Sequence, residues 1–329
     1  MASVRYIDTI DPDSNHFNDL YSNSENFNQS EYLSVQQYND ISSCNDYYTL
    51  LNYNIRSFRQ NSNSFLSLFD NNFFPNIIVI SETWFSEFYQ EDISGYTAFH
   101  AIRENQRSGG VSTFISNEFC SNIISSLTFC NNDIEICSVE AFLDSRSVII
   151  IFVYRPHSGT IENFSRELEN VFNSSAVRGF QCVITGDFNI NLCSDSNEVH
   201  RFIENMNSYH FIPIITKPTR FPSCESSSPS LLDHIWINKI TMYKCGIVLH
   251  DFTDHLPNFF NFLKPCKTKS IITILNPKFI FVTIVRVIGI VSVLHCNPLI
   301  GLPLNLQILI FILQILLINS MSYIAVYSL

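Results

Sequence analysis

Apolar residues recur along this chain at two periods. Short runs rich in Ile, Val and Phe at 48–54, 77–81, 110–115, 147–154, 182–185 and 234–237 predict β-strands. Between them, Phe65, Leu66 and Phe69 share one helical face, Phe164, Leu168, Val171 and Phe172 a second, and Val199, Phe202, Ile203 and Met206 a third. Strands mixed with helices predict one α/β domain over 47–265. Residues 1–46 are dominated by Ser, Asn, Asp and Tyr without periodic apolar spacing. Such a composition buries too little surface to offset ordering entropy and predicts a mostly disordered leader. Pro218, Pro222 and the Ser-rich stretch 223–230 predict a surface loop before another strand.

The pattern changes after Lys269. Residues 270–329 hold no Asp or Glu, and Lys278 and Arg286 are their only charges. The run 299–318 is apolar enough to be a membrane-span candidate, though Pro303, Asn305, Gln307 and Gln314 interrupt it. Read-through of A/T-rich DNA also yields runs of Ile, Leu and Phe. The tail 266–329 is therefore open to three readings: a membrane anchor, translated intron or frameshifted sequence, or a buried or partner-bound segment.

At 329 residues, 46% hydrophobic and 15% charged, the chain has room for one large domain with a substantial core. A net charge of −11 argues against general nucleic-acid affinity, which normally comes from Lys and Arg. It does not argue against phosphodiester chemistry, because a metal site needs carboxylates. The ten cysteines include no C-x-x-C pair and no histidine partners at zinc spacing. They predict reduced thiols in a nuclear or cytoplasmic protein. The amino terminus has no apolar segment of the secretory kind, so no signal peptide is expected.

Six polar segments sit at the ends of predicted strands: 51–57, 80–84, 153–156, 185–189, 231–235 and 253–257. Singly, each has an ordinary explanation. Asn54 could satisfy turn backbone, Glu82 could be a first-turn helix acid, and Asp187 and Asn189 could form a turn. Tyr154 could be a core aromatic and His255 a surface histidine. Together they mean more, because several apolar strands run directly into a single polar residue. Phosphodiester hydrolysis needs a hard cation on oxygen ligands, which Glu82 can offer. It needs a carboxylate to position or deprotonate water, which suits Asp187. It also needs a donor to the phosphate oxygens, which His255 supplies if Asp233 holds its tautomer.

The ordered series N-I-R-S (from Asn54), S-E-T-W (from Ser81), R-x-G-G-V (from Arg107), Y-R-P (from Tyr154), G-D-F-N (from Gly186), T-K-P-T-R (from Thr216), L-L-D-H-I-W (from Leu231) and D-H-L-P (from Asp254) resembles the endonuclease domains of non-LTR (LINE-type) retrotransposons, particularly the jockey, CR1 and L2-like groups. These belong to the endonuclease/exonuclease/phosphatase superfamily. The resemblance implies an α/β fold, a four-layer sandwich of two packed mixed sheets flanked by helices, as in DNase I, with the site at one sheet edge. It implies a Mg²⁺- or Mn²⁺-dependent endonuclease that nicks DNA. Matched position by position, Glu82 is the metal ligand and Asn54 the amide beside it. Tyr154 lies near the scissile phosphate, and Asp187 and Asn189 are the water-positioning acid and its amide partner. Asp233 and His255 form the carboxylate–histidine pair, with Asp254 preceding the histidine. Arg155 stands where DNase I-like and sphingomyelinase-like branches carry histidine, and Thr253 stands where Ser usually precedes Asp-His. Two other functions stay open: a non-catalytic retrotransposon relic, and a membrane-tethered phosphodiesterase of the same superfamily, membrane-associated through the tail.

Overall fold

A computed structural model describes residues 30–265, apart from 70–73, 104–107, 145, 223–227, 241 and 251, together with strands at 270–276 and 279–284. Seven strands form the first sheet: β1 (Glu31–Ser34), β2 (Tyr47–Asn54), β3 (Ile77–Ser81), β4 (Tyr96–Ala101), β5 (Val111–Ser116), β13 (Tyr243–Leu249) and β14 (Asn258–Leu263). Their order across the sheet is β1-β13-β14-β2-β3-β5-β4. The second sheet contains β6 (Cys120–Ile123), β8 (Glu135–Leu143), β9 (Arg146–Tyr154), β10 (Gln181–Asp187), β11 (Ile212–Pro213) and β12 (Asp233–Ile237). Its order is β11-β12-β10-β9-β8-β6, and the short β7 (Phe129–Cys130) also pairs with β8. Both sheets are mixed. The pairs β2–β3 and β9–β10 are parallel, as is β1–β13, and the others are antiparallel.

Side chains alternate between the two faces of a strand, which explains how these strands are buried on both sides. Leu50, Ile77, Val79, Ile150, Phe152, Val183, Ile235 and Ile237 share the core between the sheets. Their neighbours Leu51, Tyr53, Ile78 and Ile80 instead join Tyr38 of α1 (Val35–Ser42) and Phe58 and Phe65 of α2 (Phe58–Leu66). Ile149, Ile151, Val153, Ile184 and Trp236 join the apolar faces of α3 (Ile161–Asn173) and α4 (Asn197–Ser208). The result is the expected four-layer α/β sandwich. Thr160 caps α3 by accepting from the Asn163 amide at 3.1 Å, and Ser196 caps α4 through Val199 at 3.3 Å.

Three expectations need correction. Residues 30–46 are folded: β1 adds in parallel to β13, Ser34 and Gln37 form a capping box on α1, and Tyr38 is buried with its ring 5.1 Å from that of Phe259. The strand pairing and the packing of Tyr38 are long-range contacts, which local periodicity does not register. The face expected from Phe65, Leu66 and Phe69 is also different. Leu66 is exposed, Phe69 follows the helix end, and Phe58 supplies the second buried position of α2. Finally, β4, β6, β8, β13 and β14 were not expected from the pattern of apolar runs, because polar or intermediate positions dilute their alternation.

Residues 265–329 form a separate unit, in which β15 (Ser270–Asn276) pairs antiparallel with β16 (Phe279–Ile284). The division after Lys264 falls shortly before the change of composition that follows Lys269. The span candidate 299–318 lies outside the described residues, and among the described residues no helix is long and apolar enough to cross a membrane.

Candidate active site

Following the inner-face alternation to the end of each strand, past Leu50, Phe152 and Val183 and back past Ile235, reaches the polar residues singled out above. Asn54 ends β2 beside Ser81 of the parallel β3, and Tyr154 ends β9 in register with Asp187 of the parallel β10. Asp233 opens β12 directly opposite Asp187, and His255 lies just before β14, which runs back along β2. The carboxyl ends of both parallel pairs therefore meet at one end of the sandwich, the usual position of a site in α/β proteins. Gly186 makes the approach of β10 to β9 feasible: a Cβ there would lie 1.8 Å from the Val153 carbonyl oxygen. Backbone in the left-handed region at Glu82 (φ +52°) and Asn189 (φ +48°) flanks this end. Such strain in non-glycine residues clusters at functional sites.

The amide of Asn54 joins the two sheets. Its Nδ2 donates to Glu82 Oε1 at 2.8 Å and to Asp187 Oδ2 at 2.9 Å. The other Asp187 oxygen accepts from the Asn189 backbone N–H at 2.9 Å, while the Asn189 side chain donates to the Arg155 carbonyl at 2.8 Å. Arg155 is buried and donates to the carbonyls of Phe188, Gly159 and Asn189, so it shapes the loop after Asp187. Asp233 Oδ2 accepts from His255 Nδ1 at 2.8 Å and from the Thr219 hydroxyl at 2.7 Å. Because Asp233 is the acceptor, the proton lies on Nδ1 and Nε2 is left for a substrate. The Thr253 hydroxyl is 3.2 Å from Tyr53 Oη, accepts from the His255 amide at 3.2 Å and donates to the His255 carbonyl at 2.9 Å. Threonine thus keeps the loop tie that a serine would make.

Burial and mutual charge set the protonation of these groups. Asp187 is 1% exposed. Burial, and then the charge of Asp233, hold its carboxyl well above the ordinary carboxylate range against the pull of His255. Burial by itself would pull the His255 imidazole down, but the charge and hydrogen bond of Asp233, with Asp187 and Asp254 nearby, lift it to about 9. Burial, followed by the charges of Glu82 and Asp187, pushes the Tyr154 phenol up, so it stays protonated. Asp254 turns elsewhere and pairs with Arg56 Nη1 at 2.7 Å and Arg220 Nε at 2.9 Å. Burial opposes ionisation of Asp254, yet His255 and the two arginines hold its carboxyl below the usual range.

This donor set fits a hard divalent cation. Glu82 and Asp187 present carboxylate oxygens on either side of one amide, and Asp233 Oδ1 is buried with no hydrogen-bond partner. Ligand atoms of Asp187, Asp233 and His255 lie within 4.8 Å of one another. The proton on His255 favours the role of a donor there over that of a ligand.

Asn54, Glu82, Tyr154, Asp187, Asn189, Asp233 and His255 thus gather at one end of the sandwich, and Asp254 lies beside them in its ion pairs. Two further groups were not singled out by residue type. Thr219, within the T-K-P-T-R run, also accepts from the backbone of Leu232 and Asp233. Glu135, fully buried on β8 in register with Tyr154, pairs with Arg103. Only the collinear motif signalled Thr219, and no local signal marked Glu135.

The model of the endonuclease/exonuclease/phosphatase family matches residues 51–255. No curated protein matches the sequence. Among solved structures, the chain is similar to the endonuclease domain of TRAS1, a telomere-specific non-LTR retrotransposon. The TM-score is 0.51 at 13% identity, covering 66% of this chain and 98% of that one. It is also similar to a 3'-5' exonuclease (NExo) from Neisseria meningitidis, with a TM-score of 0.51 at 16% identity, covering 66% of this chain and 100% of that one. At these identities the likeness concerns the fold.

Proposed function

The chain belongs to the endonuclease/exonuclease/phosphatase family, and from that premise we propose that it hydrolyses phosphodiester bonds in DNA with Mg²⁺ or Mn²⁺, nicking one strand, as an endonuclease of non-LTR retrotransposon origin. The observation that carries this reading is the Asn54 amide, which ties Glu82 to Asp187 across the two sheets, while Asp233 fixes His255 beside them.

Glu82, with the Asn54 and Asp187 oxygens beside it, would hold the cation, which when bound neutralises charge on the phosphate and the leaving oxygen. Asp187 sits where burial raises its proton affinity, so it can take the proton of an attacking water. The Asn189 N–H keeps the carboxylate aimed. His255 is cationic at neutral pH and donates from Nε2 to a phosphate oxygen as charge builds there. Tyr154 stays a phenol and can donate a second hydrogen bond. Asp254 acts through position, by tying the histidine loop to Arg56 and Arg220. Retrotransposon origin is supported by the ordered motifs and by Arg155-Pro156, where related branches carry histidine after the tyrosine.

The test is relaxation of supercoiled plasmid by the purified protein. Single-strand nicks should accumulate with Mg²⁺ or Mn²⁺ and stop in excess EDTA. Equal nicking in EDTA would overturn the metal-dependent reading, and an intact closed plasmid beside a linear duplex shortened from its 3' ends would make it an exonuclease.

A further inference from the structure

The Gly109-Gly110 turn has no chemistry of its own, yet the segment following Glu82 hangs from it. The Trp84 amide donates to the Gly109 carbonyl at 2.9 Å, and the Thr83 amide donates to the Gly110 carbonyl at 3.3 Å. From the other side, Ser57 and Phe58 donate to the carbonyls of Glu82 and Thr83 at 2.8 and 3.0 Å. These bonds surround a residue in left-handed backbone, a conformation that persists only where neighbours over-determine it. Both glycines have positive φ, +88° and +84°.

What holds the turn is Glu135. The Gly110 N–H donates to Glu135 Oε2 at 2.5 Å, and Arg103 Nε pairs with Oε1. A fully buried carboxylate carries a desolvation cost that only close pairing and hydrogen bonds offset. An apolar residue would fill the same place on β8, as Ile136 and Val139 do elsewhere on the strand, without that cost. The fit around the carboxylate is also tight: a Cβ on Gly109 would lie 2.5 Å from Glu135 Oε1.

We propose that Glu135, paired with Arg103, is a positioning residue that fixes Glu82 for the divalent cation through the Gly109-Gly110 turn. The inference rests on Glu82 being the metal ligand. It explains why the R-x-G-G-V run accompanies the polar motifs: Gly109 gives the carboxylate room, and both glycines supply the carbonyls that set Thr83 and Trp84.

The experiment measures Mn²⁺ binding to the full chain by isothermal titration, without DNA. It is run at pH 8, above the value of about 7 to which burial pushes the Glu135 carboxyl against the pull of Arg103. Glu135→Gln should weaken Mn²⁺ binding by about tenfold or more, the range seen when a partner of a metal ligand is lost. Its melting temperature should stay near wild type. The half-saturating Mn²⁺ for nicking should rise by the same factor, with the rate at saturating Mn²⁺ unchanged. Gly109→Ala should reproduce the defect, and the double variant should be no worse than the weaker single. Glu140→Gln, on the same strand, should bind as wild type. Unchanged Mn²⁺ affinity in folded Glu135→Gln, with Glu82→Gln unable to bind, overturns this proposal alone. If Glu135→Gln does not fold, unchanged affinity in Gly109→Ala has the same force. If wild type does not bind, or Glu82→Gln binds as wild type does, the metal-ligand reading falls and takes this one with it.

Discussion

Asp233 and His234 are consecutive in β12 and both buried, yet they serve opposite regions of the molecule. Asp233 faces the space between the sheets, where it holds His255 as a cation. His234 faces the helices. Its ring stacks on Phe188 at 4.4 Å, its Nε2 donates to the Ile190 and Leu231 carbonyls, and burial pushes it down to about 4, so it is neutral. The two imidazoles differ because one is given a carboxylate and the other only carbonyls and aromatic rings. The inner end of the sandwich keeps charges together that would be unfavourable apart. The outer layer packs Phe188, Phe202 and Trp236 against α3 and α4. A site and a core can therefore share one strand, separated only by the direction of alternate side chains.

Substitutions should divide along the same line. The largest expected effect belongs to the outer layer. Trp236→Ala should cost roughly 3–5 kcal/mol of stability in denaturant unfolding, as large aromatic truncations do, while nicking per folded molecule stays near wild type. Lost activity in molecules that remain folded would break the division. At the inner end, Asp187→Ala and His255→Ala should each lower nicking at least ~10²-fold, the order for removing an acid–base group or charge-stabilising donor. Both variants should still unfold cooperatively, His255→Ala at a lower temperature because the buried Asp233 loses its imidazolium partner, and more than half the activity remaining per folded molecule in either variant would remove that residue from its role.

A smaller but more discriminating effect concerns the pair itself. Asp233 and His255 should act as a unit, so Asp233→Asn with His255→Ala should be hardly slower than His255→Ala by itself. Losses that simply multiply would show two independent groups. The smallest expected effect is on pH. His234 has a folded value near 4, below its unfolded value of 6.5, so its contribution to stability is complete above pH 6.5 and is lost as pH falls towards 4. For His255 the sign reverses: its folded value near 9 is raised, so its contribution is complete below pH 6.5 and is lost as pH rises through 9. Unfolding midpoints of His234→Gln should therefore vary less than wild type between pH 6.5 and 4. Equal slopes would mean that His234 takes up its proton as readily in the folded protein as in the unfolded chain.

The sequence by itself determined the local part of this design. Apolar runs located the central strands β2, β3, β9, β10 and β12, because residues buried on both faces leave little room for polar ones. The faces of α3 and α4 were legible for the same reason, since periodic burial is written directly into residue order. The polar residue that ends each run was legible too, and those residues are the ones now gathered at one end. Their meeting was decided only by the tertiary structure. The Asn54 amide touches Asp187 across 133 positions of sequence, and Asp233 meets His255 because β12 and β14 lie in facing sheets. The folded residues 30–46, the β1–β13 pairing and the Glu135 support behind Glu82 belong to the same class. Each depends on partners far along the chain, and no local spacing encodes a contact whose free energy appears only once both sheets are in place.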